Sequence, residues 1–146
     1  VLDSDKALFK KMASAKDNEC RLGMYFRNGP FYLLKLKKDA DLNSVIKEEK
    51  SPEWKRLDVS ILHGIIFDKL LGLKDKVHNE EGVVYTRDSA CAVSEVKNGN
   101  CCAAFLLNPT KISQVRDIAR AGDKMPHKST YFYPKLLSGL VINKLL

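Results

Sequence analysis

Two apolar runs around Asn28-Gly29 constrain this chain more than any other feature. Leu22-Gly23-Met24-Tyr25-Phe26 and Phe31-Tyr32-Leu33-Leu34-Lys35-Leu36 flank Arg27-Asn28-Gly29-Pro30. Asparagine and glycine both tolerate positive φ, which a type I′ turn requires at its two central residues. The expectation is an antiparallel hairpin near the start of the chain.

Helix signals surround it. Ser4 is placed to cap a first helix with Leu8, Phe9 and Met12 as its apolar stripe. Residues 37–50 are polar and read as a loop with a short helical turn. Ser51-Pro52-Glu53 has the serine cap, first-turn proline and acid of a helix start. Asp58 offers a second cap, before Val59, Leu62, Ile65, Ile66 and Leu70 at helical spacing, and Gly72-Leu73 closes that helix.

The pattern then changes to alternating strand and helix. Residues 83–86 read as a strand, Asp88 as the cap of a helix over 89–97, and Asn98-Gly99 as its end. Residues 103–107 are an unbroken apolar run, the mark of a strand buried on both faces. Thr110 is placed to cap a helix through Ala121, with Ile112, Val115, Ile118 and Ala119 on one side and Gly122 after it. A last strand is expected within 136–142. A compact strand-helix-strand unit implies a parallel pair with a right-handed crossover. The expected fold class is α/β, a mixed α+β arrangement in a single domain over 1–146. Its small mixed sheet would have about four to five strands, with an N-terminal hairpin, a strand-helix-strand unit and helices packed on the sheet.

Composition narrows the partners. The 146 residues carry 25 Lys+Arg against 18 Asp+Glu, a net charge of +7. That excess attracts anions in general, whether a phosphorylated metabolite, nucleic acid or an acidic protein face. The lysines are scattered, with Lys35, Lys37 and Lys38 the densest group, and no nucleic-acid recognition motif is present. The apolar runs, Ile65-Ile66-Phe67 and 103–107 among them, are far too short for a membrane span, so no membrane partner is expected. The 4 cysteines contain no Cys-x-x-Cys pair, which suits free thiols in a reducing cytoplasm. With the 3 histidines they show no metal-ligand spacing, and there is no dinucleotide motif. Asp58 and His63, five positions apart, diverge by about 140° on an α-helix, which separates them as an acid-base pair.

The most unusual stretch is Met125-Pro126-His127-Lys128-Ser129-Thr130-Tyr131-Phe132-Tyr133-Pro134-Lys135. Lysine followed by hydroxyls ends a Walker A loop, and Gly122 stands where its first glycine belongs. His127 occupies the second glycine position, and its Cβ blocks the close backbone approach that phosphate needs. What remains is a lysine-hydroxyl-aromatic group suited to a small anionic ligand, or a rigid connector whose aromatics plug the core. The candidate ligand residues are His127, Lys128, Ser129, Thr130 and Tyr131. Arg87 and Asn108 join them because ligands favour the crevice beyond the carboxyl ends of parallel strands.

Residues 57–63, Ala104-Phe105-Leu106-Leu107-Asn108-Pro109-Thr110 and the stretch 125–135 together resemble a prokaryotic family catalogued as domain-of-unknown-function family ten-fifteen. Their order and spacing fit its C-terminal third across nearly the whole chain. The family pattern tends to carry glutamine or another residue where this chain has His127. The resemblance, with a start at Val1, implies a C-terminal piece of a longer parent. The missing N-terminal part would loosely resemble the partition-protein and sulfiredoxin superfamily, whose members include DNA-partition proteins and kinases of free serine. Three expectations follow: a cytoplasmic enzyme or binding domain for a small anionic or phosphorylated metabolite, a nucleic-acid-associated module, or an interaction domain docking on the N-terminal part. The reactive groups in the first case would lie outside this chain.

Overall fold

Ser4 begins the first helix in the computed structural model, which describes residues 1–16, 19–79 and 81–130. The serine hydroxyl accepts the Ala7 amide, and α1 (Asp5–Ala13) buries Leu8 and Met12. Then come β1 (Arg21–Phe26) and β2 (Phe31–Lys35), paired antiparallel with Tyr25 opposite Phe31. The hairpin is as expected, but its turn is not type I′. The register leaves residues 26–30 in the connection, and only Asn28 there has positive φ, +59°. The Gly29 amide closes the turn on the Phe26 carbonyl at 3.1 Å, so one left-handed residue suffices.

Three short helices follow: α2 (Leu42–Val45), α3 (Pro52–Lys55) and α4 (Asp58–Ile61). Ser51 caps α3 through the Trp54 amide. Asp58 is not a cap; Leu57 holds that position without a side-chain bond, and Asp58 is the first helical residue. The helix runs on into a π-helix, Leu62–Leu70, and ends at Gly72 with φ +63°. Leu73 folds back, its amide donating to the Phe67 carbonyl at 2.7 Å. Helix α5 (Lys74–His78) follows directly.

The expected strand at 83–86 does not form. Val84 is 74% exposed, and the segment has no ladder partner among the described residues. Its β-branched composition suits a strand, but strand stability comes from cross-strand pairing, which the segment does not make with any described strand. Helix α6 (Ser89–Asn98) starts on Asp88, whose carboxylate accepts the Ala90 and Cys91 amides, and stops at Gly99 with φ +86°. β3 (Ala103–Leu106) then runs antiparallel to β1, with Phe105 opposite Met24. The parallel pair is thus replaced by a three-stranded antiparallel sheet of order β2-β1-β3. The strand expected within 136–142 lies outside the described residues. The mixed α/β class holds, with three strands and seven α-helices among the described residues.

Helix α7 (Ile112–Arg120) starts one residue later than expected, with Lys111 rather than Thr110 at its cap. The Lys111 amide donates to the Gln114 side chain at 2.8 Å, while the Thr110 hydroxyl reaches the Ser129 carbonyl at 2.8 Å. Ile118 is the buried anchor of α7; Ile112, expected beside it, is 81% exposed.

Both faces of the sheet are covered, because strand side chains alternate. One cluster joins Leu8, Met12, Tyr25, Phe31, Val93, Val96, Ala104 and Leu106 beneath α1 and α6. Gly23 belongs to this face: a Cβ there would stand 2.8 Å from the Leu8 side chain. On the other face Leu22 and the partly buried Phe105 meet Ile61, Leu62 and Phe67 of the long helix. Phe67 and Phe105 pack edge to face with centroids 5.2 Å apart. All 4 cysteines are unbridged, and Cys20 is buried in the second cluster.

Candidate functional site

The π-helix determines where the polar groups of the second face go. Its hydrogen bonds close over five residues, as from the Leu71 amide to the Ile66 carbonyl at 3.0 Å. An α-helix turns residues five apart away from each other by about 140°. The wider turn instead puts His63, Phe67 and Asp68 along one hollow. Such π segments recur at functional sites. Ile46, 1% exposed, supports the helix from behind: a Cβ on Gly64 would sit 3.2 Å from its side chain.

The hollow has a volume of about 300 Å³. Helix α5 contributes Lys74 and Val77, the segment after α2 contributes Glu48, and the irregular segments after α5 and α7 contribute Tyr85 and His127. Its floor is apolar where Phe67 is buried, and its rim is charged. The His63 ring lies over Phe67 at 5.6 Å between centroids, tilted by 30°. Burial holds its pKa below the ordinary value, so the ring is neutral at pH 7 and offers one donor and one acceptor. Lys74 Nζ stands 3.7 Å from Asp68 Oδ2, at the mouth.

The approach to His127 is fixed by contacts distant in sequence. Gly122 turns the chain with φ +76°. Asp123 then accepts the Ser51 amide at 2.7 Å and the Lys50 ammonium at 3.1 Å. These bonds, the Ser51 amide first, hold the Asp123 carboxyl below the usual carboxylate range. Trp54 Nε1 donates to the Lys124 carbonyl at 3.1 Å. The start of α3 therefore anchors the segment that carries His127.

A tight turn closes the motif. The Ser129 amide and hydroxyl both donate to the Pro126 carbonyl, at 3.3 and 2.6 Å. Lys128, third in the turn, has φ +55°, where a side chain costs roughly 1–2 kcal/mol relative to ordinary backbone. From there its ammonium lies 4.5 Å from the Tyr85 ring centroid. That cation–π contact puts Lys128 beside the hollow.

The candidate residues therefore divide. His127 lines the hollow and Lys128 flanks it through Tyr85. Ser129 shapes the turn, and exposed Thr130 follows it without lining the hollow. Arg87 sits with Thr86, Asp88 and Ser89 at a separate open dip where α6 begins. The crevice argument for Arg87 and Asn108 assumed a parallel sheet, whereas the sheet among the described residues is antiparallel. The Asn108 amide instead donates to the Met12 carbonyl at 3.4 Å, tying β3 to the end of α1. Tyr131 lies outside the described residues.

Sequence reasoning missed Glu48, Asp68, Lys74 and Tyr85, and placed His63 only on a helix. No local signal marked them, since a π register and a loop crossing bring them together. Among the described residues, no group of three or more His, Cys, Asp or Glu side chains is placed to hold a metal ion. Nor is any described helix long and apolar enough to cross a membrane. No family model, curated protein or solved structure matches this chain.

Proposed function

We propose that the hollow beside the π-helix binds a small anionic metabolite, phosphorylated or carboxylic, as part of a cytoplasmic enzyme or binding protein. The observation that carries this reading is that Lys74 and His127 line a space floored by Phe67, with Lys128 stacked on the Tyr85 ring at its side. Three separate stretches of chain supply these groups. A charged hydrogen bond gains strength beside apolar walls that exclude water. The volume is at the low end of the range for ligand pockets, about 300–1,000 Å³, which suits a small metabolite. Neutral His63 supplies a further donor without adding charge.

The test is a thermal-shift and calorimetric screen of the 146-residue chain against inorganic phosphate, phosphorylated metabolites and simple carboxylates. Stabilisation by an anion in the wild type, lost in Lys74→Met, supports the site. No response to any anion overturns it. The nucleic-acid reading is carried only by the net charge of +7. It predicts duplex binding with a steep salt dependence, because phosphate contacts release counterions.

A further inference from the structure

The hollow carries acids that a site for anions alone does not need. Glu48 and Asp68 line the same space as Lys74 and His127. The Asp68–Lys74 pair is loose, at 3.7 Å, with the two side chains 40% and 66% exposed. An exposed ion pair of this kind gains little from itself. It does present a positive and a negative group side by side at the mouth of an apolar space.

A purely anionic ligand drawn to Lys74 meets Asp68 as a like charge at close range, which is unfavourable. A ligand with an ammonium and a carboxylate on one carbon presents the opposite dipole. Laid head to tail against the pair, it matches both charges at once, each through a charge-assisted hydrogen bond. Its remaining part would then point to Phe67, Val77 and Tyr85, which are apolar or aromatic. We propose that the natural ligand is an α-amino acid with a small apolar side chain. Its carboxylate would face Lys74 and His127, and its ammonium would face Asp68 and Glu48. This inference rests on the hollow being the ligand site proposed above.

A matched set of probes tests it: L-norvaline, pentanoate, which lacks the amine, and 1-butylamine, which lacks the carboxylate. Each is titrated into the 146-residue chain at pH 7 while the His63 ring protons are followed by NMR, with inorganic phosphate as a fourth probe. L-Norvaline is expected to bind at least tenfold more tightly than either fragment. Asp68→Asn should remove that advantage by tightening pentanoate and weakening L-norvaline, with an unchanged urea midpoint showing an intact fold. If Asp68→Asn shifts the midpoint, Glu48→Gln serves instead and should reduce the preference at least threefold. Equal binding of pentanoate and L-norvaline overturns the amino-acid assignment and leaves the anion site standing. A preference that survives both substitutions also overturns it. No shift of His63 with any of the four probes overturns both.

Discussion

The two faces of the sheet are built from similar apolar residues and finished differently. Beneath α1 and α6 the contacts are aliphatic and aromatic throughout, and Leu8 and Val96 are 0% exposed. Regular helices with ordinary caps cover that face. The other face is covered by a helix that changes register after Ile61, and behind it the packing opens into a hollow rimmed by charge. One face shows how the sheet is held; the other shows where a regular helix has been given up to bring a histidine, an acid and an aromatic into line. Irregular backbone that persists on a well-packed support is a reason to look for function.

If the division is real, substitutions on the two faces should separate stability from binding. Leu8→Ala should have the largest effect, about 2–5 kcal/mol of unfolding free energy, as expected for a buried leucine. Anion affinity of the folded fraction should be unchanged; a parallel loss would show that the faces are coupled. Phe67→Ala should break the separation, since Phe67 lies both in the second cluster and under the hollow. About 3 kcal/mol of stability should go, together with binding, as read from urea midpoints and calorimetry. Lys74→Met should do the reverse of Leu8→Ala. It should weaken an anion by about 1.5–3 kcal/mol, the range for a hydrogen bond to a charged group. Stability should stay within about 0.5 kcal/mol, as for other exposed side chains.

Two smaller effects depend on pH. His63 has its pKa lowered by burial, so the unfolded chain takes up a proton first as pH falls below about 6.5. Stability should therefore be full above that pH and decline as pH drops through the folded-state value. His63→Gln should flatten this part of the profile in urea titrations between pH 5 and 8. Asp123 has its pKa lowered by the Ser51 amide, so its contribution is present above about pH 4 and lost on further acidification. Asp123→Asn should remove that acid dependence and, by weakening the bonds to the Ser51 amide and Lys50, loosen the segment that carries His127.

The sequence was legible wherever the physics is local. Ser4, Ser51 and Asp88 each bond amides within three residues, and Gly72 and Gly99 end helices by their own backbone angles. The hairpin belongs to the same class. Residues 83–86 show the limit: four residues of strand composition become strand only if an edge is available, and composition does not say whether one is. The candidate site was legible in part for the same reason. His127 and Lys128 stood out as an unusual local run, whereas Asp68 and Lys74 looked like ordinary surface charge. Their grouping depends on the π register and on Asp123 reaching Ser51 across 72 positions of chain.

The strand order has a kinetic consequence. β1 lies in the middle of the sheet, yet its neighbour β3 begins only at Ala103, while β2 ends at Lys35. A hairpin forms in about 1–10 μs, but synthesis proceeds at about 5–20 residues per second. On the ribosome the hairpin therefore waits several seconds with the edge from Gly23 to Phe26 uncovered. Such an edge is a template for another chain. Nascent-chain crosslinking at Met24 should capture foreign partners before β3 emerges and lose them afterwards. Expression yield would then be governed less by the stability of the finished fold than by how quickly residues 103–106 arrive.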